Sequence, residues 1–213
     1  MASLSMTANR DLMTQAKESL RGKWGLAIGT FVILVIIINA VQVIPKAGVI
    51  GVYIIFGPMC LGLAIFSLAL SRNQNPRLPQ IFEGFQKFGV ALGAYLLMFL
   101  FVLLWSLLLI IPGIIAIYAY SQTYYIIAED ANIGPLEAIR KSKEMMRGNK
   151  WKLLCLNLRF IGWALLCILT FGIGIFWLAP YMFISKAKFY DDLAHPAVTP
   201  EAEPVTVEPA GSV

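Results

Sequence analysis

Apolar residues crowd into six runs, at about 24–44, 49–70, 89–111, 113–128, 151–170 and 172–188, separated by short polar or Gly/Pro-containing stretches. Each approaches the ~20 residues that carry an α-helix across a ~30 Å hydrocarbon layer. Inside hydrocarbon every backbone N–H and C=O must pair within its own span, so the runs predict helices. The alternating pattern of a membrane strand is missing. The fourth and sixth runs are the shortest and carry polar clusters, "YAYSQTYY" and "SKAKFY", which predicts protein-covered or water-facing surfaces.

The polar stretches that precede the odd-numbered runs resemble one another. They read "DLMTQAKESLRGKWG", "LPQIFEGFQKFG" and "GPLEAIRKSKEMMRGNKWK", each ending in a basic residue beside an aromatic: Lys23-Trp24, Lys87-Phe88, Lys150-Trp151. After each come a long apolar run, a Pro or Gly break (Pro45; Pro112-Gly113; Gly172 and Gly174) and a second run. Self-similarity at a fixed period predicts three copies of one unit, an interfacial amphipathic helix followed by a transmembrane hairpin, at about 11–72, 78–130 and 134–190.

The third polar stretch is the most charged. Wound at 100° per residue, Pro135, Leu136, Ala138, Ile139, Ser142, Met145 and Met146 share one arc, and Glu137, Arg140, Lys141, Glu144 and Arg147 the other, with Lys143 at the rim. Gly134-Pro135 with Glu137 supplies a start signal and Gly148-Asn149 a stop. The expected position is the headgroup level, apolar face down, with the cations reaching lipid phosphates.

Composition sharpens the setting. The 213 residues are 59% hydrophobic and 14% charged, with mean hydropathy +0.74, against roughly 45–50% apolar and about 25% charged in soluble domains. A net charge of +5 suggests nucleic acid only until its placement is read. Lys and Arg cluster beside the apolar runs, which points to anionic lipid. Apart from Lys46 and the mid-run Arg159, they fall before runs one and three, from Arg140 to Lys152 at the entry to run five, and at Lys186 and Lys188, which end run six. The positive-inside rule therefore places both termini in the cytoplasm of a multi-pass protein of the cell (plasma) membrane. The first run is too long for a cleaved leader and its exit lacks a small-x-small site, so it reads as a retained span. Residues 1–192 read as a single integral membrane domain, and 193–213, rich in Pro and Glu and holding His195, as a disordered cytoplasmic tail. Cys60, Cys155 and Cys167 all sit in apolar runs, which points to buried small hydrophobes rather than metal ligands or disulfides.

Two features remain as candidate chemistry. Glu129-Asp130 closes run four; without a histidine, nucleophile or metal-ligand set nearby, the pair reads as a structural ion pair to Lys143, Arg147 or Lys150. Arg159 falls near mid-membrane, ~12 Å along the helix from Trp151. No carboxylate lies at that depth, leaving Asn39, Gln122, Asn157 and Tyr118 as neutral partners. Two readings stay open: an anion site facing the bundle interior, or an arginine reaching the outer interface. Pro58 and Pro180 interrupt spans two and six, as in transporters with broken helices, or as a consequence of the repeat.

The runs "EDANIGPLEA" and "MRGNKW", with "FIGW", "LTFGIG" and "APY" beyond, resemble a prokaryotic integral membrane protein family catalogued as domain of unknown function nine-seven-five, over about residues 8–192. That family is distantly similar to the membrane domain of glycerophosphodiester phosphodiesterases, whose catalytic barrel is absent here. The resemblance implies a multi-span bundle without an assigned activity. The expected fold is all-α: a polytopic bundle of six transmembrane helices with three cytoplasmic interfacial amphipathic helices. Metal-binding His pairs, nucleophile elbows, phosphate loops and dinucleotide fingerprints are missing from the chain, so the expectation is a non-enzyme without cofactors. Two readings of Arg140, Lys141, Lys143, Arg147, Lys150 and Trp151 stay open: contacts to anionic headgroups or a membrane partner, which includes a second copy, or basic residues that only set the topology. A small permease or lipid/anion transporter is the alternative.

Overall fold

The computed structural model describes residues 5, 7–43, 48–130, 132–169, 172 and 174–195, without the side chains of 48–50, 168 and 169. Among these residues the regular structure is entirely helical. Ten α-helices follow in order: α1 Asn9–Leu20, α2 Trp24–Gln42, α3 Gly48–Ser71, α4 Gln80–Glu83, α5 Phe88–Leu108, α6 Ile110–Ala119, α7 Thr123–Glu129, α8 Pro135–Met145, α9 Lys150–Leu169 and α10 Ile175–Ala194, with a 3-10 turn at Gly84–Lys87 between α4 and α5. Four stretches are long and apolar enough to cross a membrane: α2, most of α3, α4 through α5, and α6 through α7. Helices α9 and α10 are each 20 residues long but carry Lys150, Lys152 and Arg159, and Lys186, Lys188, Asp191 and Asp192.

Burial separates inner from outer helices. In the stretch from residue 51 to 71 of α3, 72% of the most apolar window is covered, whereas α2 and α5 each cover only 11%. Helix α3 packs against α7 and α10. Between α7 and α10 the Tyr125 and Tyr190 rings stack at 5.5 Å, and the Tyr125 hydroxyl donates to the Phe183 carbonyl. Outside this inner set, α2 lies on α3 and α10, α5 on α3 and α6, and α9 on α10 and α6. The outward faces are apolar: Leu103, Leu107, Ile111, Trp163, Leu166 and Trp177 are all exposed. Such a belt suits hydrocarbon and not water.

The three short amphipathic segments cap one end. Helix α4 lies on α3, α8 on α7 and α5, and α1 on α10. Part of each apolar face packs on protein, where the expected contact is lipid. Leu12, Ala16 and Leu20 of α1, Ile81 of α4, and Ala138, Ile139 and Ser142 of α8 are all buried. Leu136, expected on the buried arc of α8, is 60% exposed; the covered stripe is narrower and centred on Ser142. One lysine at or near the start of each of α2, α5 and α9 reaches the end of α3, α7 and α10 respectively. Lys23 Nζ donates to Asn73 Oδ1 at 3.1 Å, Lys87 Nζ to the Ile127 carbonyl at 2.8 Å, and Lys152 Nζ stands 3.8 Å from Asp192 Oδ2.

Several boundaries differ from expectation. The turn before run four falls at Leu109 alone, and Pro112 lies within α6; in a first turn its missing N–H forfeits no helical bond. Run four is two helices, parted at Tyr120–Gln122. The second amphipathic segment shortens to α4 and the 3-10 turn because it crosses α3 backbone to backbone: a Cβ on Gly62 would fall 1.8 Å from the Ile81 carbonyl oxygen, and one on Gly84 2.0 Å from that of Pro58. Helix α10 continues to Ala194, past the expected tail boundary, because Leu193 is buried in a cluster with Leu12 and Phe189. Pro45, Lys46 and the tail from 196 onward lie outside the described residues.

Candidate functional site at the polar end of the bundle

Arg72, one residue past α3, closes a clamp between α3, α7 and α10. Its Nη2 lies 2.7 Å from both Glu129 Oε1 and Asp191 Oδ1, and its Nε donates to Asp191 Oδ1 at 2.9 Å. The Tyr190 hydroxyl donates to Glu129 Oε2 at 2.6 Å, the Ser71 hydroxyl donates to Asp191 Oδ2 at 2.8 Å, and His195 Nε2 stands 3.6 Å from Glu129. Burial pushes the Glu129 carboxyl up, but the hydrogen bonds from Tyr190 and Arg72, the Arg72 charge and His195 outweigh it and hold the group below the ordinary carboxylate value.

This corrects the expected partners of Glu129 and Asp130. Glu129 pairs with Arg72, not with Lys143, Arg147 or Lys150, because the end of α7 faces the inner helices. The Asp130 side chain accepts from the Asn132 N–H at 3.0 Å, and its carbonyl accepts from Lys87 at 3.3 Å. A second polar cluster joins Asp192 to Ser5, Thr7 and Lys152, tying the start of α9 to the end of α10.

The expected lipid-contact residues fall on α8, in the turn after it and at the start of α9. Arg140, Lys141, Lys143, Arg147 and Trp151 are exposed and Lys150 is half-buried. The exposed edge of this segment takes in Leu136, Arg140 and Lys143 at helical spacing on α8, then exposed Arg147 in the turn after it and exposed Trp151 on α9. Among the described residues, no ion pair takes in any of its three cations.

The intramembrane polar residues do not converge. Arg159 is exposed on the outer face of α9, apart from Asn39 and Gln122. The Asn39 amide donates to the Val35 carbonyl of its own helix at 2.7 Å. Gln122 is buried at the α6–α7 break, where its N–H donates to Ser142 Oγ at 3.2 Å, and the Ser142 hydroxyl donates to the Ala119 carbonyl at 2.8 Å. One hydroxyl of α8 thus serves two of the backbone groups at the break.

Sequence reasoning missed Lys186, which it counts with Lys188 as a marker of orientation. Lys186 lines a partly open cavity between α2, α3, α7 and α10. The available signal was spacing: Phe183, Lys186 and Tyr190 recur at three and four residues, on the face that meets α7.

The family model described as "Protein of unknown function (DUF975)" matches residues 6–119 and 107–196, and the chain belongs to that family. No curated protein and no solved structure matches the chain, the glycerophosphodiester phosphodiesterases included.

Proposed function

We propose that this is a non-catalytic, multi-pass protein of the cell membrane that binds anionic lipid headgroups along the outer edge of α8. The observation that carries this reading is that Arg140 and Lys143 on α8 and Arg147 in the turn after it are exposed and, among the described residues, in no ion pair, with exposed Leu136 before them and Trp151 after them in the chain. Apolar groups at both ends of a cationic stripe match the boundary between acyl chains and headgroups. Each cation near an anionic leaflet contributes about 1 kcal/mol, enough for local enrichment of lipid. The spans supply the anchoring itself.

The same reading takes all six apolar runs as spans, with α9 and α10 included and both termini cytoplasmic. Its support is the bias of Lys and Arg toward one end. It also takes the chain as three copies of one unit. The three lysine bridges and the three docked amphipathic segments support this, since α1 on α10 closes the cycle begun by α4 on α3 and α8 on α7.

Joint replacement of Arg140, Lys143 and Arg147 by Glu tests the lipid contact. Protein purified in mild detergent should lose its enrichment in phosphatidylglycerol over phosphatidylcholine, read by native mass spectrometry. Enrichment equal to wild type would reject the proposal.

A further inference from the structure

Two cavities meet inside the bundle. The first, about 230 Å³, is bounded by α2, α3, α7 and α10, and Lys186, Tyr124, Ser121, Cys60, Phe31 and Met59 are among its walls. Lys186 lies six residues, ~9 Å, in from Asp192 along α10. No carboxylate lines this cavity, and no ion pair among the described residues includes Lys186. Asp191, the nearest acid in sequence, is held by Arg72 and Ser71.

The Tyr124 hydroxyl is buried and, among the described residues, has no hydrogen-bond partner. The Ser121 hydroxyl is already engaged with the Tyr118 carbonyl, and that of Tyr125 with Phe183. Lys186 and Tyr124 therefore line one cavity, and among the described residues neither the ammonium nor the phenol hydroxyl has an acceptor. Lys186 is part-buried, with its Nζ 6.0 Å from the Phe183 ring centroid, and the Tyr124 hydroxyl is buried; an anionic acceptor would serve the two together.

The second cavity, about 260 Å³, lies between α3, α5 and α6 and is almost wholly apolar. Tyr95, Met98, Phe99, Val102 and Ile117 line it, with Phe56 and Tyr124 shared between the two cavities. Phe56 and Phe99 are also exposed on the outer surface, so this slot borders the apolar exterior. A polar, cationic chamber thus abuts an apolar slot across Phe56 and Tyr124.

We infer that the paired cavities bind a single-chain anionic amphiphile, its carboxylate on Lys186 and Tyr124 and its acyl chain in the slot between α5 and α6. The inference is independent of the lipid edge on α8. The two sites differ in place and in ligand, a diffusible carboxylate here and bilayer headgroups there.

Photolabelling of the full chain in phosphatidylcholine nanodiscs, with dodecanoate carrying a terminal diazirine, tests it. Adducts are expected on peptides containing Tyr95–Val102 or Ile117–Tyr124, suppressed by dodecanoate at concentrations about tenfold lower than by dodecanol. Lys186→Met should reduce labelling about tenfold while Lys186→Arg retains it, and Tyr124→Phe should fall between. Equal competition by dodecanol would overturn the inference without any variant being made. So would wild-type labelling of Lys186→Met, suppression by acetate as efficient as by dodecanoate (a small-anion site only), or loss of labelling when phosphatidylglycerol replaces part of the disc lipid (a headgroup site).

Discussion

Arg72 Nη2 lies 2.7 Å from Glu129 Oε1, so the ends of α3 and α7, 57 residues apart in sequence, are joined by one charged hydrogen bond at the polar end of the bundle. The guanidinium also holds Asp191, which makes it the common partner of the three inner helices. Removing it leaves two carboxylates facing each other.

Replacing Arg72 by Gln should therefore lower stability by about 1–2 kcal/mol, the range for partly screened, hydrogen-bonded charges. Glu129→Gln alone should cost less, because the Arg72–Asp191 contact survives. Thermal melts of the detergent-solubilised variants, arranged as a double-mutant cycle, measure the coupling; additive losses would show that the pair contributes nothing jointly.

Acid should loosen the same clamp. The folded state holds the Glu129 pKa below its ordinary value, so its contribution is fully present above the unfolded carboxylate pKa, ~4.3, and is lost as the pH falls through the lower folded value. Between pH 7 and pH 3 the melting temperature of wild type should drop more than that of Glu129→Gln. Parallel curves would assign acid lability to other carboxylates.

Gly84 is a close-approach position. A methyl group there would stand 2.0 Å from the Pro58 carbonyl oxygen and 2.6 Å from the Gly62 nitrogen, so Gly84→Ala must push the α4 segment off α3. Overpacking costs typically ~1–3 kcal/mol, and against two backbones the upper end is expected. Gly89→Ala, whose added carbon meets nothing within 4 Å, is the control and should melt like wild type.

Ser142→Ala removes the hydroxyl that serves the Ala119 carbonyl and the Gln122 N–H. Leaving buried groups unpaired costs roughly 1–3 kcal/mol. Amide exchange of residues 119–123 should accelerate selectively, whereas an unchanged exchange pattern would mean that the break is held elsewhere.

Much of this architecture is legible in the sequence, for physical reasons that also set the limits. Long apolar runs specify α2, α3 and α5 because length and hydropathy suffice. Pro135 and Gly148 mark the ends of α8, Gly148 with φ +85°. Partner identity is another matter: Glu129 meets Arg72, not the cations that follow it in the chain, because charge pairing depends on which helix ends share a layer. Covering of the α1 and α8 apolar faces is equally silent, since a stripe such as Ala138-Ile139-Ser142 suits protein and lipid alike. Lys186 escapes notice because a lysine near the end of a span has the same sequence signature whether it reaches water or a cavity.

The central claim is that the chain crosses the membrane repeatedly with its basic end in the cytoplasm. Cysteines placed singly at Val43, exposed beyond α2, and at Lys141, exposed on α8, in a chain with Cys60, Cys155 and Cys167 replaced, test it most directly through a membrane-impermeant maleimide. Intact cells should label Val43→Cys, and Lys141→Cys only after lysis. Labelling of Lys141→Cys in intact cells would contradict the account.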